Sequence, residues 1–324
     1  MATQVPGIEG KEVLLASPRG FCAGVDRAIE IVDRALQLYG PPVYVFHEIV
    51  HNRHVLEDFI GRGVRFVESL DQVPEGSVTI FSAHGVSAEV ERIGRERDLR
   101  VIDATCPLVT KVHMQAQRYE ERGSELVLVG HPGHPEIEGT EGRIHGTVHV
   151  LSTVAEVESL EVENPNQLAY VTQTTLSVDD TKEVIDALKR RFPGIRGPEL
   201  KDICYATQNR QNAVKSMTDE RIDLLLVVGS SNSSNSNRLR ELGERRGVVS
   251  YLIDSEDDLD PAWIKAGQRI GVTAGASAPE ALVQRVLSRL EELGASRVRE
   301  MDGEPESVVF HLPEELRSGR ITKA

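Results

Sequence analysis

Three features of the sequence predict an α/β fold built on parallel sheets. Short β-branched runs alternate with amphipathic stretches along the chain. Those runs are apolar at successive positions, as strands covered on both faces are. One cysteine falls in each roughly equal third, at the start of a helical pattern, which suggests three similar modules. In chain order the strand-like runs are Val13–Ala16, Val43–Phe46, Val78–Phe81, Leu126–Val129, Ala169–Thr172, Leu224–Val228 and Arg269–Val272. Helical stretches lie between them, such as Asp26–Tyr39 and Thr181–Arg191. Ser177 and Asp180 have the spacing of a capping box for the second. No heptad repeat and no long linker breaks the alternation.

Composition narrows the function. A chain of 324 residues has room for two domains of roughly 150 residues or three smaller ones. With 40% apolar and 27% charged residues it can bury a core. A net charge of −14 repels nucleic acid and anionic membranes, so an anionic substrate needs a locally positive pocket. No apolar run reaches the ~20 residues of a membrane helix. The start, Met1–Leu15, has neither a basic segment leading into a long apolar stretch nor Arg- and Ser-rich composition, so no signal or transit peptide is expected. Three cysteines are too few for a disulfide scaffold and point to a reducing cytoplasm.

Cys22, Cys106 and Cys204 each sit where helix N–H groups would favour a thiolate. They could be three unrelated core residues, and none has a C-x-x-C neighbour. A three-thiolate site drawn from three modules could hold zinc with a fourth ligand, or an iron–sulfur cluster with one open iron. An open iron can bind a substrate oxygen and deliver electrons, but cysteine placement does not choose between the metals.

His47–His51 reads HEIVH and matches the H-E-x-x-H zinc motif. The preceding PPVYVF is strand-like, whereas that motif works only on a helix. Five other segments each follow a strand: FSAHGVS (81–87), VGHPGHPEIEGT (129–140), VTQTTLS (171–177), VGSSNSSNSNR (228–238) and VTAGASAPE (272–280). Hydroxyls and imidazoles at strand carboxyl ends suit a phosphate or diphosphate. Ordinary helix capping explains them too, and SSNSSNSN has a linker's composition. His134-Pro135-Glu136 places an imidazole and a carboxylate in one loop, able to relay a proton if both face a dry pocket. The chain lacks G-x-x-x-x-G-K-[ST], and no G-x-G-x-x-G follows a strand, so electrons for a redox reaction come from elsewhere.

Together these segments, with PRGFCAGVDRA, EIVHNRHV, DATCPLVTKVH and DICYATQNRQ, resemble the 4-hydroxy-3-methylbut-2-enyl diphosphate reductase (LytB) family from Val13 to about Leu316. The departures are about ten extra residues before Lys11 and a less characteristic tail after Glu304. The resemblance implies a pseudo-threefold cloverleaf of three α/β modules, residues 11–106, 107–200 and 201–291 with a tail at 292–324, around a 4Fe–4S cluster. It implies Cys22, Cys106 and Cys204 as the ligands, leaving the fourth iron open. Glu136 matches the proton donor, while His134 and Thr174 match residues that contact substrate and help pass that proton. His51 and His84 match imidazoles of the diphosphate pocket, and Ser233, Ser234, Asn235 and Ser277 match its polar lining. The implied reaction removes the hydroxyl of an allylic diphosphate, giving isopentenyl and dimethylallyl diphosphate as the last step of the methylerythritol phosphate route.

A ferredoxin or flavodoxin is the expected electron donor. An acidic donor would need a basic patch, and Arg19, Arg27 and Arg238 lie near the candidate segments. Neither nucleic acid nor membrane is an expected partner, and the expected location is a bacterial cytoplasm. Two rival classes are a zinc hydrolase using HEIVH and a non-catalytic phospholigand-binding protein with a structural metal.

Overall fold

The structure, a computed structural model, describes residues 11–317. The leader reading at residues 1–10 and the last seven tail residues lie outside that range. Among the described residues the elements run β1 (Lys11–Leu15), α1 (Ala23–Tyr39), β2 (Val43–Phe46), α2 (Arg53–Gly61), β3 (Val64–Val67), β4 (Val78–Phe81), α3 (Ala88–Glu96) and β5 (Arg100–Asp103). Next come α4 (Pro107–Glu121), β6 (Glu125–Val129), α5 (Pro135–Glu141), β7 (Val148–Leu151), α6 (Val154–Ser159), β8 (Leu168–Thr172) and α7 (Val178–Arg191). The last third holds α8 (Tyr205–Asp219), β9 (Leu224–Val228), α9 (Ser234–Arg245), β10 (Val249–Ile253), β11 (Arg269–Ala274), α10 (Glu280–Glu292), β12 (Ala295–Glu300) and α11 (Glu314–Arg317). The fold is α/β, and every strand pair is parallel.

The chain divides into two compact units. The first comprises residues 11–22, 51–53 and 205–307 within the described range and holds the sheet β10-β9-β11-β1-β12. β1 pairs with β11 and β12, so the first strand of the chain completes the sheet of its last third. β9 reads LLLVV and is buried at every position. Its alternate residues face opposite ways. Leu224, Leu226 and Val228 pack with Val283, Val286 and Leu290 of α10. Leu225 and Val227 pack with Val214 and Met217 of α8 and Leu239 of α9. Each such side chain contributes about 1.5–3 kcal/mol by leaving water.

The second unit comprises residues 23–50, 54–204 and 308–317 within the described range and holds two sheets, β3-β2-β4-β5 and β7-β6-β8. An isolated parallel bridge from Ala169 to Arg196 extends the latter by one residue beside β8. In all three sheets two adjacent strands send the chain in opposite directions: β9 and β11, β2 and β4, β6 and β8. Each such reversal opens a crevice at the strand carboxyl ends, where α/β proteins bind ligands. All five loops singled out in the sequence lie at these ends. In all three sheets the next position outward leads to a cysteine: β1 to Cys22, β5 to Cys106 and the Arg196 bridge to Cys204.

Candidate functional site

In the first unit the loops after β9 and β11 are tied together by neutral groups. Asn235, buried in the first turn of α9, accepts the Ala276 N–H on Oδ1 at 2.8 Å. Ser277 Oγ donates to the His51 carbonyl at 2.8 Å, and the Arg53 N–H donates to Ser230 Oγ at 3.2 Å. The Asn232 amide lies 3.5 Å from His51 Nδ1. Ser233 caps α9 by accepting the Ser236 N–H, so the capping role weighed for this loop is real. SSNSSNSN is therefore an ordered turn into a helix rather than a linker, with Ser234 as its first helical residue.

The tight approach of these loops rests on two glycines. A Cβ at Gly229 would sit 2.3 Å from Ser236 Oγ, and one at Gly275 would sit 2.0 Å from the same atom. Ser236 is fully buried between them and donates to Ser233 Oγ at 3.0 Å. Any side chain at either glycine would push the loops after β9 and β11 apart.

In the second unit the crevice of β6 and β8 holds an acid and its partners. Glu136 is only 2% exposed, in the first turn of α5. Its Oε1 accepts the Thr174 N–H at 2.7 Å and its Oε2 accepts the Thr174 hydroxyl at 3.0 Å. Burial pushes the carboxyl up to about 7 against those two bonds, and the charge of Asp202 adds to the rise. Half of this acid is therefore protonated near neutral pH. Buried Asp202 is itself held above its usual value by desolvation, against the pull of Lys111 and the Thr172 N–H.

His134 caps α5: its Nδ1 accepts the Glu136 backbone N–H at 3.1 Å. That bond leaves the proton of a neutral ring on Nε2. The His84 ring meets the His134 ring edge-on, with centroids 5.8 Å apart. Ser82 Oγ lies 3.4 Å from His84 Nδ1. Gly85 has φ +80, and a Cβ there would lie 2.6 Å from Cε1 of His113. His113 is buried under this loop, and desolvation with the Arg143 charge holds it down to about 3, hence neutral. Its Nε2 is buried with no hydrogen-bond partner.

Each cysteine immediately precedes a helix and is unbridged and partly accessible. Each also donates its backbone N–H to a strand-end loop: Cys22 to Ala276 O (3.3 Å), Cys106 to Ala83 O (3.0 Å) and Cys204 to Thr174 O (3.0 Å). Thr174 thus holds Glu136 with its N–H and hydroxyl and Cys204 with its carbonyl. Thiols outside any disulfide and placed at helix N-termini fit an iron–sulfur cluster, which takes thiolates, though one fewer than the usual four. Among the described residues, no three His, Cys, Asp or Glu side chains gather as ligands of a single metal ion.

HEIVH lies outside any helix, between β2 and α2, and His47 has φ 59. The i, i+4 geometry of a zinc helix is absent from it. His47 Nδ1 instead contacts Glu68 at 2.8 Å. The three arginines considered for a basic patch are engaged locally. Arg19 pairs with Glu280 (2.8 Å) and Glu300 (2.7 Å), Arg238 pairs with Glu241 (2.8 Å), and Arg27 donates to backbone carbonyls. No described helix is long and apolar enough to cross a membrane.

Sequence reasoning missed Ser236, Gly229 and Gly275, although a Gly closing each of two apolar strands was a visible signal. It also missed Gln173, whose Oε1 accepts the His131 N–H at 3.1 Å. Asp202, which accepts the Thr172 N–H at 3.3 Å, left no local signal.

The family model described as LytB protein matches residues 13–291. A relative from Azoarcus sp. is 58% identical over 97% of this chain and 100% of its own length. One from Bordetella pertussis is 61% identical over 94% of each chain. Both are named 4-hydroxy-3-methylbut-2-enyl diphosphate reductase. A solved structure of the E-1-hydroxy-2-methyl-but-2-enyl-4-diphosphate reductase from Plasmodium falciparum matches with TM-score 0.91 and 38% identity, over 95% of this chain and 97% of that one. A second, of an (E)-4-hydroxy-3-methyl-but-2-enyl diphosphate reductase described as the terminal enzyme of the non-mevalonate pathway, matches with TM-score 0.62 and 32% identity, over 87% of this chain and 99% of that one.

Proposed function

The chain belongs to the LytB protein family, and we propose that it reductively dehydroxylates (E)-4-hydroxy-3-methylbut-2-enyl diphosphate. The products are isopentenyl and dimethylallyl diphosphate, at the end of the non-mevalonate route. The observation that carries the reading is Glu136, a buried acid with a pKa near 7 held by Thr174, whose carbonyl also binds the Cys204 amide. An acid so tuned can give a proton at neutral pH.

The C–O bond breaks, two electrons and two protons enter, and water leaves. One proton, from the Glu136 carboxyl, departs with the hydroxyl. The other ends on either terminus of the allyl unit, which accounts for two isomeric products. Cys22, Cys106 and Cys204 would hold a 4Fe–4S cluster, which would supply electrons one at a time and Lewis-acid chemistry at the substrate hydroxyl. His51, Ser233, Ser234, Asn235 and Ser277 of the first unit hold the diphosphate, and His84 of the second contributes an imidazole. Neutral donors and helix N-termini let a chain of net charge −14 bind an anion. Thr174 orients the Glu136 carboxyl, and His134 fixes the start of α5 that carries it. The electrons arrive from a ferredoxin or flavodoxin, since the sequence has no nicotinamide or flavin fingerprint. Three unbridged thiols suit the reducing cytoplasm.

The test is anaerobic purification followed by the visible spectrum, the iron, sulfide and zinc content, and turnover of the allylic diphosphate. A brown protein with about four irons and four sulfides per chain, bleached by dithionite and active, is expected. Colourless protein holding one zinc, even after cluster reconstitution, would overturn the reading.

A further inference from the structure

Each helix that starts at a cysteine carries a basic residue in its second turn. Arg27 on α1, Lys111 on α4 and Arg210 on α8 follow Cys22, Cys106 and Cys204 by five, five and six residues. Each reaches the backbone just ahead of a different cysteine. Arg27 Nη1 donates to the carbonyls of Ala104 (3.2 Å) and Thr105 (3.0 Å), with Nη2 3.4 Å from that of Asp103, all immediately before Cys106. Lys111 Nζ donates to the Lys201 carbonyl at 2.8 Å and lies 3.4 Å from the Asp202 carboxylate, just before Cys204. Arg210 donates to the Gly20 carbonyl from Nε (3.0 Å) and Nη2 (2.7 Å), and to that of Phe21 from Nη2 (3.1 Å), just before Cys22.

The pattern is cyclic. The helix after the first cysteine holds the loop of the second, the helix after the second holds that of the third, and the helix after the third holds that of the first. The C-terminal segment fastens two of the three cations. Glu306 accepts from Arg210 Nη1 (3.0 Å) and Nη2 (3.3 Å), and the His311 carbonyl accepts from Arg27 Nε (2.9 Å).

Cations on loop carbonyls are common, and one alone would be ordinary packing. Three in equivalent places, each pairing one cysteine's helix with another cysteine's loop, are not explained by local packing. Each cysteine's N–H is already fixed by a strand-end loop, so the cation holds the other side of the same short segment. Two fixed sides leave the thiol little freedom to turn away. Groups that orient metal ligands in this manner govern how firmly the metal stays.

We infer that Arg27, Lys111 and Arg210 are positioning residues that lock the three cysteine loops in cyclic order and so set how firmly the cluster is retained. The inference rests on the cysteines being the cluster ligands. The lock is graded: the Arg210 side chain is fully buried, Arg27 is half-buried, and the Lys111 side chain is 48% exposed. The Cys22 loop is therefore held hardest and the Cys204 loop least.

The test compares Arg27→Met, Lys111→Met and Arg210→Met with the charge-keeping Arg27→Lys, Lys111→Arg and Arg210→Lys, all as full-length holoprotein prepared without oxygen. Iron release to a ferrous chelator is followed in the visible spectrum, beside far-UV circular dichroism and the melting temperature of each apoprotein. Release about 10- to 100-fold faster is expected for Arg210→Met and Arg27→Met, and a smaller increase for Lys111→Met. Folding signals should stay parental for Arg27→Met and Lys111→Met, and the charge-keeping changes should restore part of the retention. If Arg210→Met does not fold, the two less buried positions carry the test. Parental release rates in both Arg27→Met and Lys111→Met, with the cluster present, would overturn the lock alone. A parent that takes up no cluster would overturn the ligand reading and the lock with it.

Discussion

The crevices at β9/β11 and β6/β8 occupy the same place in their sheets but hold different chemistry. At β9/β11 Ser233, Asn235 and Ser277 bind backbone and hydroxyl groups and carry no charge at any ordinary pH. At β6/β8 the Glu136 carboxyl, held by Thr174 on the helix that His134 caps, gains and loses a proton near neutrality. On the proposed reading, the same strand reversal holds an anion in one unit and a proton in the other. Architecture sets where a site lies, and the side chains placed there set what it does. It follows that the pH dependence of the proton-transfer step should originate at β6/β8.

The sharpest break of this comparison is Glu136→Gln. It keeps the shape and loses the proton, so turnover should fall by about 10²- to 10⁴-fold while iron and sulfide stay at parental levels. Normal turnover would remove the proton from this unit. Cys106→Ser, by contrast, should lose cluster and activity together, as read by iron content and the visible spectrum.

Stability should report the same acid. Its folded pKa of about 7 lies above its ordinary 4.5, so between those values the folded state holds a proton that the unfolded state has lost. Stability contributed at this position is therefore intact below about 4.5 and falls as pH rises to about 7, by roughly 3 kcal/mol in total. Glu136→Gln should flatten that part of the curve and match or exceed the parent above neutral pH, as followed by urea unfolding across the range.

Changes at β9/β11 should act on binding and ignore pH. Asn235→Ala removes the bond that joins the two loops, and leaving the Ala276 N–H without an acceptor costs about 1–3 kcal/mol. KM should rise by roughly 5- to 150-fold with kcat less affected. Ser277→Ala loses one bond to the His51 carbonyl, worth about 1 kcal/mol, and should raise KM by roughly fivefold. Steady-state kinetics at two pH values would check both, since a strong pH dependence of either KM effect would erase the contrast.

How much of this was legible depends on where each element sits. The strands read from sequence were β1, β2, β4, β6, β8, β9 and β11, whose runs are mostly apolar because both faces are covered. The five unread strands, β3, β5, β7, β10 and β12, all lie at sheet edges. Edges meet water and carry charge: β12 reads ASRVRE and is mostly exposed. The polar loops were legible because strand-end clusters of Ser, His and Gly are unusual in composition. Which of their groups meet was not legible. Thr174 and Glu136 are 38 residues apart, and Arg210 and Gly20 are 190 apart. Nor could residue type distinguish a solvated Glu136 from the buried one, because its burial comes from strands and loops distant in sequence.

The most direct measurement is the pH profile of kcat/KM for parent and Glu136→Gln, with a one-electron chemical reductant in excess. In the parent kcat/KM should fall about tenfold per pH unit above pH 7 as Glu136 loses its proton. The residual rate of Glu136→Gln should show no such break. A parent profile that is flat through neutrality, or the same break surviving in Glu136→Gln, would contradict the assignment of the proton to β6/β8.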